Sequence, residues 1–219
     1  MISDNSRSII SQRKILPMIE YESKFWENGL RFIAGVDESG RGPLAGPVVA
    51  AAVVFPKSLF ARDSNPIADV KDSKKLTHKK RVQVFENIQK KALSIGVGIV
   101  SHNVIDEVNI LNATFRAMHK AINRLVPPPD HLLIDGPHFA EMDIPCTKII
   151  DGDSKSFTIA AASIIAKVVR DNLMAEYDEK YPEYGFSKHK GYGTSAHIAA
   201  IKKFGYCEIH RRSFKFKRN

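Results

Sequence analysis

The chain reads as an α/β fold, and three observations predict it. Short apolar runs rich in Val, Ile and Ala recur between stretches of helical spacing. Two of those runs end in acids, and the segments between elements are punctuated by Gly, Pro, Asn and Asp.

Taken in order, residues 1–28 are polar and mixed, with Ile15, Met18, Ile19, Phe25 and Trp26 at helical spacing. This pattern predicts a docking helix or a loosely held arm. Residues 32–36 and 48–55 read as neighbouring strands separated by a glycine-rich turn, and a loop follows over 56–76. Thr77 is placed to cap a helix that runs to about Leu93, and residues 95–100 form the next strand. A second helix spans about 104–125 and ends at Pro127, Pro128 and Pro129, because proline supplies no N–H and clashes within a helix. Residues 131–135 are a short buried strand that terminates in Asp135, and 146–150 are another strand. The turn from Asp151 to Ser156 leads into an Ala-rich helix over 157–177. Thr194 caps a last helix that ends near Gly205, and a basic tail over 211–218 closes the sequence.

With 219 residues, 43% hydrophobic and 26% charged, the composition supports one globular domain with a substantial core. The expected division is an N-terminal extension over 1–28 and one main domain over 29–219. The latter includes a C-terminal helical, basic segment. The net charge of +9 points to a polyanionic partner, since Lys and Arg neutralise phosphates in any nucleic-acid complex. Membrane surface is the rival polyanion, but no apolar stretch reaches about 18 residues and no signal-peptide core is present. Cys146 and Cys207 are too few for a disulfide framework, which suits a reducing cytoplasm. The expectation is a cytoplasmic monomer.

Chemistry concentrates in the run from Ile33 to Val54. Asp37 and Glu38 stand together before Gly40-Arg41-Gly42. Two adjacent carboxylates repel unless a proton or a divalent cation lies between them, and hard cations take oxygen ligands of this kind. Glycines 40, 42 and 46 allow close backbone approach, and Arg41 offers a fork of donors suited to phosphate. A solvated turn would use the same residue types. The G-x-G-x-x-x-G spacing with Pro43 and Pro47 excludes a dinucleotide fingerprint. The absence of G-x-x-x-x-G-K-[ST], H-E-x-x-H and C-x-x-C removes support for P-loop and zinc chemistry. Adjacent residues on a regular strand face opposite ways, so Asp37 and Glu38 share one centre only where the strand ends or bends. Asp135 is a second strand-end acid. Within Asp151-Gly152-Asp153, either acid could be a cap or turn residue.

The run around Asp37 resembles the opening motif of the type 2 ribonucleases H, specifically the bacterial ribonuclease HII family. Gly152-Asp153-Ser154-Lys155-Ser156, followed by Ala161-Ala162-Ser163-Ile164-Ile165-Ala166-Lys167-Val168, resembles the family's next signature. That likeness selects Asp153 as a fourth acid beside Asp37, Glu38 and Asp135. It places Ser154, Lys155, Ser156 and Lys167 among the substrate contacts. Asp171 is the runner-up for the fourth acid, although its spacing from Lys167 fits a structural ion pair. His189-Lys190-Gly191-Tyr192-Gly193-Thr194 is similar to the family segment in which a tyrosine packs on the sugar beside the scissile phosphate, so Tyr192 takes that role. With it, the backbone of Gly40, Arg41 and Gly42 would sense a 2′-hydroxyl, the group that separates RNA from DNA.

The resemblance implies a ribonuclease H-like mixed sheet flanked by helices. It also implies hydrolysis of the RNA strand of RNA–DNA hybrids and nicking at ribonucleotides in duplex DNA, giving 5′-phosphate and 3′-hydroxyl ends. The implied cofactor is Mg²⁺ or Mn²⁺, two ions in all, one activating water and one stabilising the leaving oxygen. Ribonuclease HIII, a related enzyme with a sizeable N-terminal domain, fits less well because only 36 residues precede Asp37. A binding module in which the acids are turn residues is the non-enzymatic alternative. The basic residues at 71–75 and 79–81 read equally as phosphate contacts or as the solvated start of a helix. The tail could grip a duplex or dock through Phe214 and Phe216. Residues 56–65 and 139–145 match nothing assignable.

Overall fold

The computed structural model describes residues 18–60, 67, 70, 76–140 and 142–215. Five strands form one mixed sheet: β1 (Ile33–Ser39), β2 (Val48–Val54), β3 (Ser94–Val100), β4 (His131–Asp135) and β5 (Cys146–Ile149). Their spatial order is β3-β2-β1-β4-β5. The β1–β2 and β2–β3 pairs are antiparallel, while β1–β4 and β4–β5 are parallel. β2 is buried along its whole length, which explains why it reads as an unbroken apolar run rather than an alternating one.

Six helices accompany the sheet among the described residues: α1 (Glu20–Glu27), α2 (His78–Lys91), α3 (His102–Ile122), α4 (Phe157–Lys180), α5 (Phe186–His189) and α6 (Ser195–Phe204). α3 covers one face, with Ala113, Ala117 and Ala121 packed against Val48, Ala50 and Val100. α4 covers the other, with Ala160, Ile164 and Ile165 in one cluster with Ala51, Val53 and α2's Ile88. The first half of α4 is buried nearly all round, as expected of a helix with apolar neighbours on several sides. It approaches β1 closely at Gly35, where a Cβ would collide with the Thr158 backbone. Any larger residue there pushes α4 off the sheet.

The described part of the N-terminal segment, from Met18 on, docks as a helix, while Ile15 lies outside the described residues. Trp26 of α1 joins Ile33, Leu133 and Ile159 in a small cluster at the lower edge of the sheet. Glu22 is fully buried beneath the start of α4. The tail docks as well: Asp106 accepts the N–H groups of Arg212 and Ser213 at 2.7 and 2.9 Å, and Phe214 packs against the core. Residues 71–75, the densest basic stretch, and Phe216 lie outside the described residues. No helix among the described residues is long and apolar enough to cross a membrane.

Candidate active site

Parallel pairing of β1 with β4 sets Val36 beside Ile134, so the next residues on each strand, Asp37 and Asp135, lie side by side toward the carboxyl ends of these strands. In open α/β sheets, this carboxyl end is where ligands bind. β1 does not stop before the acids, as the sequence suggested. It continues through Ser39 and breaks at Gly40, whose φ of +98° favours glycine.

Asp37 is buried, receives a hydrogen bond from the Ser163 hydroxyl of α4 and accepts the Glu38 N–H at 2.6 Å. Burial, then the charges of Glu38 and Asp135, hold its carboxyl well above the usual aspartate range. Burial also raises Glu38, an effect partly offset by Arg41, whose Nη1 lies 3.0 Å from Oε1. Asp135 accepts the Gly152 N–H at 2.6 Å, which ties β4 to the turn before α4. Asp153, buried in that turn, follows directly. Among the described residues no three such groups already converge as a ready-made metal cage. The donor set nevertheless fits a hard divalent ion: every donor is a carboxylate oxygen, and burial together with neighbouring carboxylates raises Asp37 and Glu38.

A cleft of about 340 Å³ opens beside these acids, lined by Glu38, Ser39, Arg81, Ser163, Lys167 and Tyr192. Tyr192 is 45% exposed although it is a large aromatic, and its ring edge lies next to Gly42, where a Cβ would sit 3.7 Å from Cε1. Lys167 Nζ pairs with Asp171 at 2.6 Å, and Ser163, Lys167 and Asp171 follow one another at i+4 spacing on one face of α4.

The three small contacts expected before α4 separate. Ser154 and Lys155 are exposed, their side chains donating to the carbonyls of Asp151 and Ile150 at 2.7 Å each. Ser156 is fully buried: it caps α4 by accepting the Ile159 N–H and donates to Glu22 Oε1 at 2.7 Å. A duplex cannot reach it, so the cap replaces the substrate contact expected there.

Sequence reasoning missed two residues. Arg170 and Arg211 are the largest fully buried side chains of the described chain. Arg170 donates to the carbonyls of Pro47, Ala45 and Lys190 at 3.0 to 3.1 Å. Arg211 donates to those of Gly46, Arg41, Gly40 and Pro47. Gly40 leaves no room for a side chain, since a Cβ would strike the Arg170 guanidinium. Arg211, at the start of the basic tail that the sequence left open between gripping a duplex and docking, faces inward as the support of the glycine turn. In a trans peptide, C=O and N–H point oppositely, so carbonyls drawn inward at 40 and 41 turn the N–H groups of Arg41 and Gly42 outward.

Comparison with known proteins agrees with this geometry. The family model described as Ribonuclease HII matches residues 34–217. A curated Ribonuclease HII of Acetivibrio thermocellus is 53% identical over 201 residues, covering 92% of this chain and 76% of that protein. The crystal structure of the ribonuclease H2 from Pyrococcus horikoshii superposes with a TM-score of 0.69 at 29% identity, covering 84% of this chain and 94% of that one. A Bst-RNase HIII solved in complex with Mn²⁺ shares the fold at 20% identity and a TM-score of 0.57, over 80% of this chain and 63% of that one.

Proposed function

The chain belongs to the ribonuclease HII family, and on that premise we propose that the cleft beside Asp37 hydrolyses the RNA strand of RNA–DNA hybrids and nicks duplex DNA at embedded ribonucleotides. It is an endoribonuclease of the ribonuclease H type. The observation that carries the reading is the delivery of Asp37, Glu38 and Asp135 to one end of the sheet by two parallel strands, beside a cleft walled by Tyr192.

Asp37, Glu38 and Asp135, with Asp153 as the fourth acid, would hold divalent cations, Mg²⁺ or Mn²⁺, two during turnover. Bound there, they supply charge to offset the phosphate and lower the pKa of water, leaving 5′-phosphate and 3′-hydroxyl ends. The crowded carboxylates and the Mn²⁺ in the HIII relative support this. A second reading gives the fourth position to Asp171, because it continues the cleft-facing line of Ser163 and Lys167 on α4. Asp153→Asn and Asp171→Asn separate the two: the variant that loses turnover while the other keeps it names the ligand.

The protein's own groups orient the substrate. The outward N–H groups at Arg41 and Gly42, within the turn that begins at Gly40, meet the sugar and phosphate, and Tyr192 stacks on the sugar whose 2′-hydroxyl marks the cleavage site. Lys167 and Arg81 line the route of the phosphates, and exposed Ser154 and Lys155 extend it. We assign residues 29–219 as the catalytic domain with a C-terminal helical segment and 1–28 as an extension. The enzyme is proposed to work as a cytoplasmic monomer, two cysteines being too few for the disulfide framework of an oxidising compartment.

The test is cleavage of duplex DNA carrying one ribonucleotide, with Mg²⁺, Mn²⁺ or chelator. Metal-dependent nicking at the ribonucleotide is expected, and it should vanish in Asp37→Asn. Binding without any cut, in either metal and on a long hybrid, would return the chain to the binding-module reading.

A further inference from the structure

The turn that presents Tyr192 rests on three imidazoles, and the backbone fixes each in one tautomer. His189 accepts the Gly191 N–H on Nδ1 at 3.2 Å, which leaves its Nε2–H to donate to the Tyr184 carbonyl at 2.8 Å. His210 accepts the Cys207 N–H on Nδ1 at 2.9 Å, so its proton sits on Nε2, 3.1 Å from Nε2 of His197. His197 therefore accepts on Nε2 and carries its own proton on Nδ1, which donates to the Tyr192 carbonyl at 2.9 Å. Hydrogen bonding thus runs in one direction, from the N–H of Cys207 through two rings to the C=O of Tyr192.

The arrangement admits no spare proton. Protonating His197 on Nε2 would set two N–H groups against each other, and protonating His210 on Nδ1 would strand the Cys207 N–H. Both rings are fully buried, and His197 stacks on His189 with centroids 4.5 Å apart. Burial lowers both imidazoles, and His197 lowers His210 further, to about 4, so each is neutral at neutral pH. The Tyr192 carbonyl also accepts the Thr194 N–H at 2.8 Å, and the Leu44 N–H donates to Gly191 at 2.8 Å. The same turn is thereby locked to the glycine loop on its other side.

Nothing in catalysis by the acids requires these rings. They act on the height of one peptide, the one that carries Tyr192 past Gly42. We propose that His197 and His210 are positioning residues for the ribonucleotide-sensing step, setting the Tyr192 ring against the Gly40–Gly42 backbone so that only a sugar bearing a 2′-hydroxyl is seated for cleavage. The proposal rests on the reading of Tyr192 as the sugar contact.

The test measures kcat and KM on duplex DNA with one ribonucleotide for His197→Leu, His197→Asn, His210→Asn and Tyr192→Ala, alone and with Tyr192→Ala in the background. Leucine removes the donor to Tyr192, whereas asparagine keeps a donor near the position of Nδ1. His197→Leu should lower kcat by about tenfold or more with KM little changed, since misplacement of a bound group slows chemistry more than binding. His197→Asn should recover most of the loss, and His197→Leu should add little to Tyr192→Ala because both act through one ring. Should the leucine variant fail to fold, His210→Asn tests the same line from its far end. It retains an acceptor for Cys207 but removes the donor to His197, and a kcat loss of about threefold or more is expected.

A crippled Tyr192→Ala with unchanged kcat in the soluble histidine variants would overturn the relay alone. So would losses from His197→Leu that multiply in full with Tyr192→Ala. Wild-type cleavage by Tyr192→Ala would instead remove the sugar-contact reading on which the relay rests.

Discussion

Two regions meet at the cleft, and they handle charge in opposite ways. At the ends of β1 and β4, Asp37, Glu38 and Asp135 crowd negative charge that burial makes costly, and Asp37 and Glu38 hold their protons more tightly than usual. A few residues on, the turn from Gly40 to Pro47 has two positive charges buried behind it. Their hydrogen-bond partners are backbone carbonyls rather than carboxylates. On the proposed function, the acid end would take its balancing charge from a bound cation. The turn is complete in itself, and its inward carbonyls leave N–H groups facing outward. The difference teaches that one cleft can prepare for a metal by leaving charge unbalanced, and for a sugar and phosphate by balancing charge internally.

The largest effect should come from the acid end. Asp37→Asn is expected to lower turnover by on the order of a thousandfold or more while leaving substrate binding within a few-fold, measured by cleavage and by anisotropy. The same substitution should stabilise the fold. The folded pKa of Asp37 is raised, so its contribution is intact below the ordinary aspartate value and is lost as pH rises through the folded value. The melting temperature of Asp37→Asn should therefore exceed that of the wild type at pH 8, with the gap closing toward pH 4. A gap that widens on acidification would mean that Asp37 is stabilised as the anion, and the contrast between the two regions would fail.

The turn should respond the other way, losing stability and activity together. Arg211→Met strips partners from the carbonyls of Gly40, Arg41 and Gly46, and each buried unpaired carbonyl costs about 1–3 kcal/mol. The melting midpoint in urea should fall by several kcal/mol equivalents, with Arg211→Lys intermediate because an ammonium cannot span the same carbonyls. Burial, with the nearby Arg170 charge, lowers the Arg211 guanidinium to about 9, so it remains charged at neutral pH and the loss should be flat from pH 6 to 8. If Arg211→Met melts like the wild type, the turn is not held from behind.

This contrast also marks where sequence was legible. Asp37, Glu38 and Asp135 could be read because an acid at the end of an apolar run is a local pattern, and β1 and β4 do bring them to one end of the sheet. The strands and helices followed from periodicity and the mixed sheet from the family resemblance, with boundaries shifted at β1, which runs on through Ser39. Arg170 and Arg211 were not legible as supports: their partners are carbonyls, which every residue has, and all but that of Lys190 lie more than a hundred positions away in the chain. Ser156 read as a substrate contact because a cap and a phosphate ligand use the same hydroxyl; only burial under α1 separates them. The three-histidine support of Tyr192 was hidden for a related reason, since a tautomer depends on partners no spacing specifies.

The smallest effect expected, and the one that extends the comparison to the N-terminal segment, is at Glu22. Its Oε1 accepts from the Ser156 and Thr158 hydroxyls and from the Thr158 N–H at 2.7 to 2.9 Å, while Oε2 is buried with no hydrogen-bond partner. Two influences compete. The first turn of α4 favours a negative charge by at most about 2 kcal/mol, whereas burying a carboxylate with one oxygen unserved costs several. Burial wins, and the pKa of Glu22 is raised. Glu22 thus behaves like Asp37, not like the arginines: its stabilising contribution is full at low pH and is lost as pH rises through the folded value. Glu22→Gln keeps a carbonyl for the Ser156 and Thr158 donors and removes the charge, at the cost of an amide that must be buried. Its stability should stay within about 1 kcal/mol of the wild type at pH 5 and gain relative to it at pH 8. Glu22→Ala, which strands the donors at the start of α4, should lose about 1–2 kcal/mol at pH 5 and less at pH 8, where the wild type has itself lost part of the Glu22 contribution. A glutamine variant that instead loses ground as pH rises would show that α4 holds Glu22 as an anion, leaving the acids at the strand ends as the chain's unbalanced charge.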